Sequence, residues 1–165
     1  GGDLTGVRVA ALGAAFKPDS DDVRDAPALD VARMLYLEGA VVSVYDPEAA
    51  VNAHRVYPDL EYASSLDQAL VDADVTVLLT EWEELRTADP VGMGARVRSR
   101  TVVDTRNALS PDRYRAAGWD HRALGRPHTA PVPGSNRSEP VLATPDQPAD
   151  LPRRGAWPAL CTRAP

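Results

Sequence analysis

From residue 7 to about residue 125 the chain alternates short apolar, β-branched runs with stretches of helical periodicity, and that alternation limits the fold more than any other feature. Strands separated by helices pair in parallel, because the crossover brings the chain back to the same end of the sheet before the next strand starts. Val7-Arg8-Val9-Ala10-Ala11-Leu12 reads as a buried strand, and Pro27 followed by Ala28, Leu29, Val31, Ala32, Met34 and Leu35 reads as a helix stopped by Gly39. Val41-Val42-Ser43-Val44-Tyr45 gives a second strand, ending at Asp46-Pro47. A short helix is expected from Glu48 to about Arg55 and a short strand over Leu60 to Ala63. Ser65-Leu66-Asp67-Gln68 has the spacing of a capping box opening a helix through Val71. Asp74-Val75-Thr76-Val77-Leu78-Leu79 reads as a central strand, followed by a helix from Glu81 that carries Trp82 and Leu85. Thr101-Val102-Val103-Asp104 is a further strand. Ser110-Pro111 opens the next helix, Gly118 ends it, and a final short strand runs from Trp119 to Leu124. The expected fold is α/β, a Rossmann-like, mostly parallel sheet of five or six strands with flanking helices, plus a disordered C-terminal tail.

The tail is a matter of composition. Residues 127–165 hold nine of the fifteen prolines and little periodic hydrophobicity, so they cannot bury enough apolar surface to offset the entropy of ordering. Residues 1–126 are read as the folded domain; Trp157 and Leu160 are the tail residues with enough apolar surface to dock on it. The single cysteine, Cys161, lies in this tail, can form no internal disulfide and has no activating base nearby. A net charge of -6 disfavours nucleic-acid and anionic-membrane partners, which require a broad basic face. No apolar run approaches the ~20 residues of a membrane helix. Gly1-Gly2-Asp3 begins no signal peptide, so a cytoplasmic location is expected.

Against that acidic background, the segment Gly13-Ala14-Ala15-Phe16-Lys17-Pro18-Asp19-Ser20-Asp21-Asp22-Val23-Arg24-Asp25-Ala26-Pro27 places two cations in one loop between a strand and a helix. In an open α/β sheet the ligand crevice lies outside the carboxyl ends of the strands, where Lys17 and Arg24 would meet an anion such as a diphosphate. A solvated Lys17 and an Arg24 that only pairs with Asp21, Asp22 or Asp25 fit the same spacing equally well. The loop lacks the glycines of a G-x-G-x-x-G dinucleotide fingerprint. Asp104-Thr105-Arg106-Asn107 closes a second strand, so Arg106 emerges at the same sheet edge as Lys17 if the two strands are parallel.

Four segments then carry a resemblance: residues 13–29, Val44-Tyr45-Asp46-Pro47, Leu78-Leu79-Thr80-Glu81-Trp82 and Val102-Val103-Asp104-Thr105-Arg106-Asn107. In order and spacing they resemble the C-terminal UDP-binding domain of the UDP-glucose 6-dehydrogenases, over roughly residues 4 to 126. The wider group includes GDP-mannose and UDP-N-acetylmannosamine dehydrogenases. The resemblance implies oxidation of a nucleotide-sugar C6 hydroxyl to a carboxylate in two NAD-dependent steps. An N-terminal Rossmann domain holds the NAD, and a catalytic cysteine passes through a thiohemiacetal and a thioester. Neither part is present in this sequence, which supplies no candidate catalytic residue and no metal ligand set. The resemblance further implies that Phe16 and Lys17 contact the substrate, Lys17 at the diphosphate, that Arg106 is a further substrate contact, and that Arg24 reaches towards NAD. The family usually has glycine where this chain has Thr105, a departure beside the backbone that aims Arg106.

The leading expectation is the UDP-sugar-binding portion of a UDP-glucose 6-dehydrogenase, completed by N-terminal dehydrogenase domains in cis or in trans and not catalytic alone. A homodimer is counted among its assemblies. A free-standing nucleotide-sugar-binding module and an inactive remnant are the competing readings. UDP-glucose, UDP-N-acetylmannosamine and GDP-mannose all remain as ligands, with Thr80-Glu81-Trp82 leaning towards UDP-glucose.

Overall fold

A computed structural model describes residues 3–128. The expected tail, with Trp157, Leu160 and Cys161, lies outside the described residues. Six strands form one sheet: β1 (Arg8–Leu12), β2 (Val41–Tyr45), β3 (Glu61–Tyr62), β4 (Val75–Leu78), β5 (Thr101–Asp104) and β6 (Asp120–Ala123). Their order is β3-β2-β1-β4-β5-β6 and every pair is parallel. This is a doubly wound, Rossmann-like sheet whose strand order reverses between β1 and β4. The register aligns the strand ends, Tyr45 with Leu12, Leu12 with Leu78, Leu78 with Asp104 and Asp104 with Ala123.

Side chains alternate across the sheet and split the core into two layers. Val9, Ala11, Val42, Val44 and Val77 face α1 (Pro27–Leu37) and α2 (Ala50–Val56), which contribute Leu29, Ala32 and Ala53. On the other face Ala10, Leu12, Leu78 and Val102 pack under α3 (Leu66–Leu70), α4 (Glu83–Thr87), α5 (Pro90–Gly94) and α6 (Pro111–Ala116). That second layer holds the largest buried side chains, Trp119 and Tyr114, which meet edge to face at 5.5 Å. Ala10 and Ala11 of the central strand β1 are small and wholly buried, one on each face, where both faces are covered by helices.

The predicted elements are found with shifted ends. The helix expected from Glu81 with Trp82 and Leu85 starts at Glu83, so it carries Leu85 while Trp82 is its N-cap, and a further helix, α5, follows it. Pro90 forces extended backbone on the residues before it, with ψ of 143° at Ala88 and 114° at Asp89, so α4 must stop and α5 start afresh. Asp89 caps α5 through Val91 N (3.2 Å) and Gly92 N (2.9 Å). Ser65 caps α3 as expected by accepting from Gln68 N at 3.2 Å, but the Gln68 side chain reaches back one residue further, accepting from Ser64 N at 2.7 Å. No helix among the described residues is long and apolar enough to cross a membrane.

Candidate functional site

The carboxyl ends of β1, β4 and β5 carry the segments singled out in the sequence, and two buried aspartates hold them. Asp46, just after β2 and 3 % exposed, accepts five hydrogen bonds. Its Oδ2 takes Ala14 N (2.7 Å), Ala15 N (3.0 Å) and Trp82 Nε1 (3.0 Å), and its Oδ1 takes Glu48 N (3.0 Å) and Ala49 N (2.7 Å). One carboxylate thus ties the loop after β1, the turn after β2 and the segment after β4. Thr80 Oγ1 adds a bond to Ala15 O at 2.8 Å. Gly13 completes the junction, with φ of +101°; a Cβ there would stand 2.5 Å from Thr80 N and Cβ, so the chain passes only because glycine lacks one. Asp46 and Trp82 belong to the quoted motifs, yet their role was not read from the sequence, because strand adjacency brings them to Ala14 and Ala15.

Beyond Ala15 the loop turns outward. Phe16 N donates to Asp22 O at 2.8 Å, closing a bulge that leaves Phe16 half exposed. Lys17 is exposed and makes no hydrogen bond or ion pair among the described residues. Arg24 grips Asp22 with both Nε (3.0 Å) and Nη2 (2.7 Å), and its side chain is 87 % exposed. Hydrogen bonds from Arg24 hold the Asp22 carboxyl at about 2. Of the partners that the spacing offered Arg24, the structure pairs it with Asp22. Phe16, Asp22, Arg24 and Asp25 line one surface concavity, while Asp21, Asp22, Val23, Arg24 and Asn52 line another. Lys17 and Arg106 line neither.

Asp104 repeats the device at the end of β5. Wholly buried, it accepts from Arg106 N (Oδ1, 3.0 Å) and Leu109 N (Oδ2, 2.9 Å). Arg106 then sends Nε onto Leu79 O at 2.7 Å, with Glu81 Oε2 at 3.1 Å. Leu79 N itself donates to Leu12 O at 2.8 Å, so the guanidinium lies over the end of β4, next to β1 and at the point where the strand order reverses. Neighbouring strands lie about 4.8 Å apart, which puts the ends of β1 and β5 roughly 10 Å from each other. Arg106 Nη1 and Nη2 make no bond among the described residues and remain available. The left-handed backbone in this turn falls on Asn107, with φ of 55°, and not on Thr105. Thr105 instead donates its hydroxyl to Leu78 O at 2.6 Å, so threonine is accommodated without strain.

The turn after β1 does not fit a dinucleotide diphosphate of its own. The backbone N–H groups of Ala14 and Ala15 that would cradle it are spent on Asp46, and α1 begins only at Pro27.

These features define a doubly wound α/β domain whose strand-end turns are held by buried aspartates and carry Lys17, Arg24 and Arg106. A family model, the UDP binding domain of the UDP-glucose/GDP-mannose dehydrogenase family, matches residues 10–111. The UDP-glucose 6-dehydrogenase of Rhizobium meliloti is 38 % identical over 127 residues, 77 % of this chain and 29 % of that protein. UDP-glucose 6-dehydrogenase TuaD of Bacillus subtilis is 34 % identical over 151 residues, 91 % of this chain and 33 % of the relative. Among solved structures, a UDP-glucose dehydrogenase from Pyrobaculum islandicum aligns with a TM-score of 0.56 at 33 % identity, covering 68 % of this chain and 24 % of the other. An NDP-N-acetyl-D-galactosaminuronic acid dehydrogenase from Methanosarcina mazei aligns with a TM-score of 0.64 at 29 % identity, covering 76 % and 26 %. The chain belongs to the UDP-glucose/GDP-mannose dehydrogenase family, as its UDP-binding domain. It spans about a third or less of the length of these relatives.

Proposed function

We propose that this chain supplies the nucleotide-sugar-binding surface of a UDP-glucose 6-dehydrogenase, with Phe16, Lys17 and Arg106 on the UDP-sugar. Arg106 carries the reading: its guanidinium is held by Leu79 O at the switch point with two nitrogens left over for phosphate oxygens. Lys17 offers a point charge from the β1 loop, whose start Asp46 fixes before any ligand arrives. Arg24 contributes by leaving Asp22 to meet an NAD molecule held by domains outside this chain, since the β1 turn has no N–H groups to spare for one. Oxidation needs the NAD site and the cysteine of those other domains. The chain binds but does not turn over.

Calorimetry of the chain with UDP, UDP-glucose and GDP tests this. UDP and UDP-glucose are expected to bind, GDP more weakly, and no NADH is expected to form. Charge-assisted contacts contribute about 1.5–3 kcal/mol each, so Lys17→Ala and Arg106→Ala should each weaken UDP binding about tenfold or more. Arg24→Ala should leave it nearly unchanged. A folded chain giving no heat with millimolar UDP, or a loss of UDP binding in Arg24→Ala but not in Lys17→Ala, overturns the assignment.

A further inference from the structure

A second basic concavity lies away from Lys17 and Arg24, between α6 and the end of β6. Pro111, Arg115, His121, Ala123, Arg126 and Pro127 line it. Two guanidiniums and an imidazole meet there with no carboxylate among the lining residues, on a chain whose net charge is -6. A local reversal of sign of this kind concentrates small anions.

Each cation is placed by the fold. Arg115 Nε donates to Pro111 O at 3.2 Å, which lays the guanidinium along α6. Its Nη2 pairs with Asp112 Oδ1 at 3.2 Å, a carboxylate that is 94 % exposed and does not line the concavity. Gly125, at φ of +71°, turns the chain after β6, with Arg126 N on Ala123 O at 3.3 Å; the Arg126 guanidinium has no partner among the described residues. His121 is the buried member. Its side chain is 5 % exposed, and its Nε2 has no hydrogen bond although Asp104 Oδ2 stands 3.7 Å away. The groups facing this ring are Asp104 of β5, Arg115 and Tyr114 of α6, and Arg126 beyond β6.

We infer that this concavity is a separate oxyanion site for inorganic phosphate or a phosphate monoester, held by Arg115 and Arg126 and completed by His121. Burial opposes protonation of the ring first, and the charges of Arg115 and Arg126 add to it; an anion between the two guanidiniums offsets that second contribution. The protonated imidazole then has two donors, one for Asp104 and one for the anion. Phosphate binding and proton uptake at His121 are thereby coupled. The inference does not depend on the UDP reading, because none of its residues is assigned there.

The test is NMR of the imidazole ring resonances of the folded chain during titration with inorganic phosphate across the pH range around neutrality, with His54 as an internal control. The expected result is a saturable shift of His121, a rise of its titration midpoint with phosphate, and no change at His54. Arg126→Ala, an exposed position, should weaken the effect about tenfold, while Lys17→Ala leaves it intact. A His121 signal that is unmoved by millimolar phosphate overturns the proposal, as does a shift that survives Arg126→Ala unchanged. UDP supplies the second arm. If UDP displaces phosphate from His121, the concavity is part of the nucleotide site and the separate site is refuted.

Discussion

Asp46 and Asp104 act alike: each ends or follows a strand, is buried, and spends its carboxylate on backbone N–H groups of a turn that carries a candidate ligand residue. Asp46→Ala leaves up to five donors without their acceptor. The expected loss is about 3 kcal/mol or more, read as a lowered urea midpoint, with a smaller loss for Asp46→Asn, which retains one oxygen. Glu81 bears on binding rather than folding. It sits 3.1 Å from Arg106 Nε, at a part-exposed pair, and on the function proposed above it would compete with phosphate oxygens for that guanidinium. Glu81→Gln is therefore expected to tighten UDP binding about two- to fivefold, measured by calorimetry at low salt. A weakening instead would mean that Glu81 aims Arg106 rather than occupying it.

Among the elements, the junction from β1 into its loop tolerates least. Gly13→Ala combines a left-handed φ with a Cβ 2.5 Å from Thr80 backbone, and should cost about 3 kcal/mol or more in thermal unfolding experiments. Gly125→Ala is the matched control: its φ is +71° but nothing lies within 4 Å, so only the backbone preference is lost, about 1 kcal/mol. Equal losses would show that the Thr80 approach relaxes freely. The α4–α5 break illustrates a related point. Asp89-Pro90 is a capping signal of the same kind as Ser110-Pro111, and it lies beyond the span in which Trp82 and Leu85 set the helical spacing. In the fold Trp119 Nε1 bonds Pro90 O at 2.8 Å, fixing where α5 starts.

At the scale of the whole molecule, pH separates the groups. Burial lowers the pKa of His121 below its ordinary 6.5, more than Asp104 raises it. As pH falls through 6.5 the unfolded chain takes the proton first, so stability drops on the acid side of neutrality until the folded ring also titrates. Urea midpoints should fall from pH 7 towards pH 5, and the fall should be shallower in His121→Gln. Asp22, held at about 2 by Arg24, contributes in a different window, between pH 4 and 2. The sequence by itself determined the alternation of strands and helices, the six strand segments, the caps at Ser65 and Ser110, and the cations placed after β1 and β5. Those follow from periodicity and from local turn chemistry, which act within a few residues. The strand order, the anchoring of Arg106 on Leu79, the five bonds into Asp46 and the burial of His121 beside Asp104 were decided by tertiary structure alone. They join residues about 30 positions apart in the case of Ala14, Asp46 and Trp82, and parallel crossovers bring such residues together without leaving a local pattern for the sequence to show.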